Sequence, residues 1–459
     1  MRALLINSCP ESSSGTNPSS IYPPLGLLYI SSVAKMAGKE VRVIDLNAIE
    51  WGADYVHEYI DKYNPDVIGI SANVLTAQPA VELAKSIRKA FPAKALIAGG
   101  PMPTVLPELF LDCFDAVVRN EGEIAFNRIL NGEPYENIDG ISYKKSVTVN
   151  NRPAELIADL NKLPFPAYDL LEPSLVRYRS RARALPSAPI LTSRGCPYRC
   201  TFCNKSIFGY KFRARSPANV FAEIMHLVQE FSVKQIDILD DNFTLDIQRA
   251  EEILDLIIDK RLGLFINLQN GICANRVDEK IIRKMKKAGV YKVGIGIESG
   301  SYSVLENIKK DINLDQVKEI IKAFRREGII VYGFFMLGLP GDTPETMNET
   351  INFAVESDPH IADFSMTIPF PGTELYAWVK KSGRMNIDNM LGYDNGFFSG
   401  RTYFETAETR SSDVERYFSL AYRRFYFRPG KIYDILRTIK SFNELKWTIE
   451  SAFSVALGK

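Results

Sequence analysis

Histidine is almost missing from this chain: His57, His226 and His360 are the only three in 459 residues, and no two lie near each other. That removes the clustered imidazoles on which most zinc sites rest. Neither sign of charge is in excess, with 56 Lys+Arg against 55 Asp+Glu and a formal net charge of +1. Such a balance gives no general attraction to nucleic acid or anionic lipid, so any partner must be recognised locally, and no nucleic-acid partner is expected. No apolar run approaches the ~18 residues of a membrane span. The chain enters directly on the strand-like Ala3-Leu4-Leu5-Ile6 without the basic segment and apolar core of a signal peptide, which makes a cytoplasmic location the default. Cysteine is scarce too: six in all make a poor disulfide framework, and three of them fall within eight residues. That distribution suits metal or redox chemistry in a reducing compartment.

What is present is the composition of a globular protein, 46% hydrophobic and 24% charged. The length exceeds the ~250 to 300 residues at which single cores stop growing, so at least two domains are expected. Over residues 1–135, strand-like runs at Ala3 to Ile6, Val41 to Ile44, Val67 to Ile70, Ala95 to Ala98 and Ala116 to Val118 alternate with helix-like stretches at 26–37, 53–63, 77–91 and 122–130. This order predicts an α/β, doubly wound, Rossmann-like parallel sheet with its ligand at the carboxyl ends of the strands. Residues 136–188, punctuated by Pro153, Pro164, Pro166 and Pro173 and carrying a weak hairpin from Ile141 to Val149, read as a linker segment.

A second βα series fills residues 189–375, with strands expected at Ile190 to Thr192, Ile236 to Leu239, Leu264 to Leu268, Val293 to Ile297, Val331 to Leu337 and Phe364 to Ile368. Helices are expected at 217–231, 247–261, 278–288, 313–327 and 343–356. Six such units predict a partial (β/α)6 barrel of the TIM type, with chemistry at its carboxyl-terminal face. Residues 376–459 read as a helical C-terminal region. Its aromatic and basic stretch, including Tyr417, Tyr422, Arg423, Arg424, Phe425, Tyr426 and Phe427, is read as a packed helical cap, with a membrane-contact surface as the alternative; Pro429-Gly430 interrupts it.

The cysteine trio is Cys196, Cys200 and Cys203 in Gly195-Cys196-Pro197-Tyr198-Arg199-Cys200-Thr201-Phe202-Cys203, directly after the first expected barrel strand. A C-x3-C-x2-C loop can close three thiolates around one 4Fe-4S cube while leaving the fourth iron without a protein ligand. Gly195 and Pro197 suit the tight turn this requires. The alternative, a three-cysteine zinc site completed by histidine, finds no histidine nearby. Cys9, Cys113 and Cys273 stand alone and read as core or loop thiols.

This loop resembles that of the radical SAM superfamily, whose members bind S-adenosyl-L-methionine on the open iron and cleave it reductively to a 5'-deoxyadenosyl radical. The resemblance places Phe202 near the adenine. It continues through the barrel: Asp240, Asp241 and Asn242 end the second strand, where the family carries polar groups for the methionyl ammonium. Glu298, Ser299 and Gly300 follow the fourth strand as in the family's ribose- and methionine-contacting segment, and Leu337 and Gly338 lie on its adenine-contacting strand and turn. Phe212 to Pro217 matches the entry into the first barrel helix, where Ser216 as cap and Pro217 as first residue are explanation enough.

A doubly wound domain ahead of such a barrel resembles the cobalamin-dependent subgroup, similar to its class B methyltransferases. The agreement lies in Pro23-Pro24-Leu25-Gly26, Ala98-Gly99-Gly100-Pro101 and Asn120-Glu121-Gly122-Glu123, and the two resembling regions cover about residues 1–375. The implied corrin-contacting residues are Asn7, Ser8, Pro10, Ser71, Asn73, Gly99, Gly100, Pro101, Glu121, Gly122 and Glu123. The D-x-H-x-x-G signature of cobalamin-dependent mutases is missing, since no histidine precedes His57. The corrin is therefore expected without a protein histidine on cobalt, which favours methyl chemistry.

The resemblance implies a 4Fe-4S cluster, S-adenosyl-L-methionine and cobalamin as cofactors, and an external electron donor such as ferredoxin or flavodoxin. The implied reaction is methylation of an unactivated carbon of a small or lipophilic substrate through the deoxyadenosyl radical and methylcobalamin, with no side chain acting as a catalytic group. A cobalamin-dependent cyclase or oxidative rearrangement enzyme without methyl transfer is the main rival. A non-catalytic cobalamin or redox sensor would not need the open iron. A tRNA-methylthiolating enzyme would need three further N-terminal cysteines, and only Cys9 and Cys113 precede the trio.

Overall fold

The computed structural model describes residues 1–9, 22–49, 54–172, 174–175, 178, 182–386, 391, 402–440 and 444–445. Pro10 and Pro173 lie outside the described residues. The chain forms two compact units, the first comprising 1–180 with 205–209, the second most of the remainder.

In the first unit, strands β1 (Arg2–Asn7), β2 (Glu40–Asp45), β3 (Val67–Ser71), β4 (Ala95–Gly99) and β5 (Ala116–Val118) alternate with helices α1 (Leu25–Met36), α2 (Tyr55–Tyr63), α3 (Ala77–Ala90), α4 (Pro101–Val105) and α5 (Glu123–Leu130). Apart from the exposed Arg42 in β2, the runs are apolar because helices cover a parallel sheet on both faces, and Leu4, Ile6, Ile44, Ile68, Ile70, Leu96 and Val117 are buried in one core. Hairpin strands β6 (Ile141–Lys144) and β7 (Thr148–Asn150) continue the sheet beyond β5, and β8 (Leu171–Glu172) joins the other edge, giving the order β7-β6-β5-β4-β3-β1-β2-β8. The predicted linker is thus corrected over much of its length. Residues to 180 pack with the first unit, because β6 pairs antiparallel with β5 and satisfies an edge that would otherwise be open.

The second unit strings six parallel strands in sequence order: β9 (Ser187–Ile190), β12 (Gln235–Ile238), β13 (Phe265–Leu268), β14 (Val290–Glu298), β15 (Ile330–Leu337) and β16 (Ile361–Met366). Between β9 and β12, the two-residue strands β10 (Ser193–Arg194) and β11 (Arg213–Ala214) pair antiparallel. Helices α6 (Pro217–Phe231), α7 (Ile247–Lys260), α8 (Glu279–Ala288), α9 (Tyr302–Asn307), α10 (Leu314–Arg326) and α11 (Pro344–Ser357) form the crossovers, and α12 (Glu374–Ser382) follows β16. Their starts are capped by side chains, as at Ser216, Asp246, Asp278, Asn313 and Thr343. Short strands β17 (Arg384–Met385) and β18 (Phe404–Glu405) precede two C-terminal helices, α13 (Ser411–Tyr426) and α14 (Pro429–Thr438). α13 is the packed cap expected of the aromatic stretch: Tyr422 and Phe425 lie edge-on to Phe364 of β16, and Tyr426 donates to Ala362 O at 2.8 Å. No helix among the described residues is long and apolar enough to cross a membrane.

Candidate active site

The cysteine loop begins at a turn only glycine makes readily, Gly195 at φ 83°. Cys196 is buried, and Cys200 and Cys203 are part-buried. Two backbone bonds hold the loop from outside, Thr201 N to Ile308 O at 3.0 Å and Leu375 N to Thr201 O at 2.9 Å, while Cys203 N returns to Cys200 O at 3.2 Å. Burial pushes the Cys200 thiol up, Lys310 draws it down, and Cys203, Glu298 and Cys196 raise it, so the other two thiols both lie within electrostatic reach of Cys200. Among the described residues no three His, Cys, Asp or Glu side chains gather tightly enough to hold one metal ion. A four-iron cube makes a different demand, one thiolate at each of three separate irons.

Asp240 does not present its carboxylate to the strand end, as the sequence suggested. Its Oδ1 accepts from Thr192 N at 2.6 Å and its Oδ2 from Ser193 Oγ at 2.6 Å and from the Thr192 hydroxyl, with Arg249 at 3.7 Å. Burial lifts the carboxyl above its usual range while the Arg249 guanidinium and the two hydroxyls oppose that lift. Asp240 is a pin behind β10, the strand that leads into Cys196. Asp241 is the exposed carboxylate of the pair, and buried Asn242 accepts from Thr244 Oγ1 at 3.4 Å.

The end of β14 carries an irregularity between Gly296 and Glu298, and Glu298 sits at φ 68°. Its Oε1 accepts from Lys310 Nζ at 2.9 Å. Burial draws the Lys310 ammonium down, but Glu298, Cys200 and Cys203 hold it above its ordinary value overall. Lys310 is the site cation that sequence reasoning missed; its only signal was a Lys-Lys pair twelve residues beyond Glu298. A side chain at Gly296 would strike this pair, its Cβ 2.5 Å from Glu298 Oε1.

The neighbouring residues turn inward. Ser299 is fully buried with its hydroxyl on Thr350 of α11 at 3.1 Å, and a Cβ at Gly300 would lie 2.7 Å from Glu349 O, so both serve the packing of this turn on α11. Leu337 is fully buried. Gly338, at φ 78°, opens a turn closed by Leu339 N donating to Asp342 Oδ2 at 2.8 Å, and burial pushes the Asp342 carboxyl up to about 6. Phe202 packs against Leu375, Val379 and Phe404.

At the strand ends of the first unit, Ser71, Gly99 and Gly100 are part-open, and Asn73 and Pro101 are exposed. Gly100 stands at φ 101°, where a Cβ would meet Ala72 O at 2.6 Å, and the Asn73 side chain accepts from Leu75 N and Thr76 N at 2.8 and 3.1 Å to fix the adjacent turn. At Gly99 and Gly100 the backbone itself is open at this surface, which lets a large planar ligand approach closely. Ser8 is buried and donates to Ser71 O at 2.6 Å; Glu121 is buried and accepts from Ile157 N at 2.8 Å; Glu123 is buried as well. A Cβ at Gly122 would reach Ile30 at 2.8 Å, which makes that glycine a packing residue. Asn7 donates to Asp45 at 2.8 Å, and Asp45 also accepts from Asn47 at 3.0 Å and Tyr178 OH at 2.7 Å, a buried hub the sequence did not reveal. His57 lies on α2 against Ser86 of α3, away from these loops.

Residues 190–354 match the radical SAM superfamily and residues 15–130 match the B12 binding domain. An uncharacterized methyltransferase of Pyrococcus horikoshii is 33% identical over 438 residues, 94% of this chain and 93% of that protein. The chain belongs to the radical SAM superfamily. It is a cobalamin-dependent radical SAM enzyme, with a 4Fe-4S cluster, S-adenosyl-L-methionine and cobalamin as its cofactors and a small molecule as its substrate. The anaerobic magnesium-protoporphyrin IX monomethyl ester cyclase of Rubrivivax gelatinosus is 27% identical over 82% of this chain and 69% of its own length. The radical SAM methyltransferase TsrM of Kitasatospora setae, solved with tryptophan and a SAM analogue, superposes with TM-score 0.70 at 18% identity over 96% of this chain and 89% of that one, a likeness of fold.

Proposed function

We propose that this radical SAM enzyme transfers a methyl group to an unactivated carbon of a small, lipophilic substrate. The observation that carries the reading is the 33% identity to a methyltransferase along nearly the whole chain. The described strand-end loops of the first unit carry no histidine to sit on cobalt, which supports the same direction. Residues 1–135 hold the corrin through the backbone of Ser71 to Asn73 and Gly99 to Pro101. Residues 189–375 hold the cluster through Cys196, Cys200 and Cys203. When bound, the cluster with S-adenosylmethionine supplies hydrogen abstraction and the corrin supplies the methyl group.

The chain's own part is positioning. Asp240 and Arg249 fix the strand behind the cysteine loop, and Thr201 anchors the loop to Ile308. Lys310 holds a positive charge beside the thiolates, and Glu298 orients it. Phe202, Asp241, Asn242 and the Gly338 turn remain candidates for contact with S-adenosylmethionine. Reduction comes from an external donor such as ferredoxin or flavodoxin. The similarity to the magnesium-protoporphyrin ester cyclase supports a second reading, radical cyclisation without methyl transfer, and a tetrapyrrole is one lipophilic substrate to try.

The test is anaerobic reconstitution with iron, sulfide and hydroxocobalamin, then incubation with methyl-labelled S-adenosylmethionine, reductant and tetrapyrrole or isoprenoid extracts. Label in a new product is expected. Deoxyadenosine and an unlabelled product would sink methyl transfer in favour of cyclisation.

A further inference from the structure

The C-terminal end of the second unit departs from the rest of the chain in charge and in exposed apolar area. Residues 416–440 hold seven Lys and Arg and one acid, Asp434, in a protein whose net charge is +1. Twelve large apolar side chains are exposed among the described residues, and five of them, Phe427, Ile432, Tyr433, Leu436 and Leu445, fall within residues 427–445. On α14, Ile432, Tyr433, Leu436 and Arg437 occur at helical spacing i, i+1, i+4, i+5 and are all exposed, so they form one face.

The opposite face of α14 is riveted to the barrel. Lys431, 3% exposed, donates from Nζ to Pro359 O at 2.7 Å and pairs with Asp358 at 2.8 Å and Asp434 at 3.2 Å, and Asp434 pairs with Arg325 at 2.9 Å. The helix is therefore fixed with its apolar face outward. Arg423, Arg437 and Lys440 are exposed and have no carboxylate partner among the described residues, so their charge is available to a ligand, whereas exposed Arg424 is tied to Asn348 and Asn352 of α11 at 2.8 Å each. Arg437 lies 5.4 Å from the Tyr433 ring, which joins the basic and apolar parts of the face.

Two classes of partner fit a basic and aromatic face: an acidic electron-transfer protein and an anionic lipid surface. Position decides between them. Pro359 and Asp358 precede β16, whereas the cysteine loop follows the carboxyl end of β9, which runs in the same sense within the sheet. At ~3.3 Å per residue the six residues of β16 alone separate the two ends by about 20 Å, too far for a donor bound there to reach the cluster directly. Protruding Ile and Leu side chains beside basic ones are also what an interfacial helix inserts beneath the headgroups.

We infer that the outward face of α14, with Phe427 beside it, docks the enzyme on an anionic lipid bilayer. Ile432, Tyr433 and Leu436 enter the interface while Arg437 and Lys440 meet the headgroup phosphates. The inference stands apart from the methyl-transfer reading, since it concerns the opposite end of the barrel.

The test is co-sedimentation of the reconstituted holoenzyme with vesicles of phosphatidylcholine alone or with about one-third phosphatidylglycerol. Binding to the acidic vesicles is expected and is lost near 0.5 M salt, where screening shortens to a few ångströms. Replacing Arg437 and Lys440 by Gln should weaken partitioning about 30-fold, at roughly tenfold or less per basic residue. I432S/L436S should weaken it by more than about tenfold, with iron content and melting temperature unchanged because these side chains touch solvent. A holoenzyme that stays in the supernatant, or variants that bind as well as the parent, would overturn the assignment. So would a concentration-dependent dimer that the same substitutions abolish, since the face would then belong to a second copy.

Discussion

Asp240→Asn separates two roles for one carboxylate. In the structure Asp240 satisfies the Thr192 amide at 2.6 Å, two hydroxyls and the buried Arg249 guanidinium at 3.7 Å. An amide has one acceptor oxygen where the carboxylate has two. If that oxygen keeps Thr192 N, an NH2 group faces the Arg249 side, and a guanidinium has no lone pair to receive it. Arg249 is then left buried without its countercharge, its remaining bonds being to Thr192 O at 3.2 Å, Arg215 O at 3.5 Å and Thr192 Oγ1 at 3.0 Å. Breaking a buried pair from one side costs about 3 to 5 kcal/mol. Taking the lower figure and ~2 to 4 °C per kcal/mol for a unit of this size, the melting temperature should fall by about 6 to 12 °C. Because β10 leads straight into Cys196, iron per chain after anaerobic reconstitution should fall with it. Affinity for S-adenosylmethionine should decline only as far as cluster occupancy does. The assay pairs calorimetry with iron determination and equilibrium binding. A variant with parental melting temperature and full iron that has lost S-adenosylmethionine affinity alone would refute the pin and return Asp240 to the methionyl ammonium.

Gly100→Ala should lower the stability of the first unit by about 2 to 5 kcal/mol, from left-handed backbone strain and a contact that must open, and hydroxocobalamin titration should weaken in parallel; an unchanged titration would count against the backbone cradle. Cys200→Ala should abolish the cluster absorbance while leaving hydroxocobalamin binding and circular dichroism intact, and a retained four-iron spectrum would remove the trio from the cluster. His360 accepts from Val331 N at 3.1 Å, and burial first, then Arg325, lowers its pKa to about 4. Its unfolded value lies near ~6.5. As pH falls through 6.5 the unfolded chain takes up a proton that the folded chain refuses, so this contribution to stability shrinks until about pH 4, by roughly 3 kcal/mol in all. Urea midpoints at pH 7 and pH 5 should therefore differ more for the parent than for His360→Gln, and equal differences would exclude His360 as the cause.

The alternation of strands and helices was legible over residues 1–135 and 189–375, with the ends of the expected elements shifted by up to about three residues, whereas the short α4, α9, β10 and β11 were not foreseen. Buried parallel strands must be continuous apolar runs, and helices between them must show one apolar face, so both leave local marks. The segment after residue 135 was read as a linker because its strands are short and broken by proline signals. Pairing with β5 is a long-range event that such local marks do not report. The aromatic stretch of α13 was read as a packed cap, and Tyr422, Phe425 and Tyr426 do cover β16; the exposure of Ile432, Tyr433 and Leu436 on the next helix was not foreseen.

The candidate site divides in the same way. The spacing of Cys196, Cys200 and Cys203, the glycine at 195 and the scarcity of histidine were determined by sequence alone, because ligand type, loop length and missing groups are properties of the chain itself. Which neighbours face the loop was decided by tertiary structure. At a strand end successive side chains point to opposite faces, so one irregularity reverses them; the one at Glu298 brings its carboxylate onto Lys310, while Ser299 turns into α11. Asp240 likewise sits beside an exposed Asp241 with the same chemistry, and only the approach of Thr192, Ser193 and Arg249 from other elements decides that one is a buried pin and the other an open carboxylate.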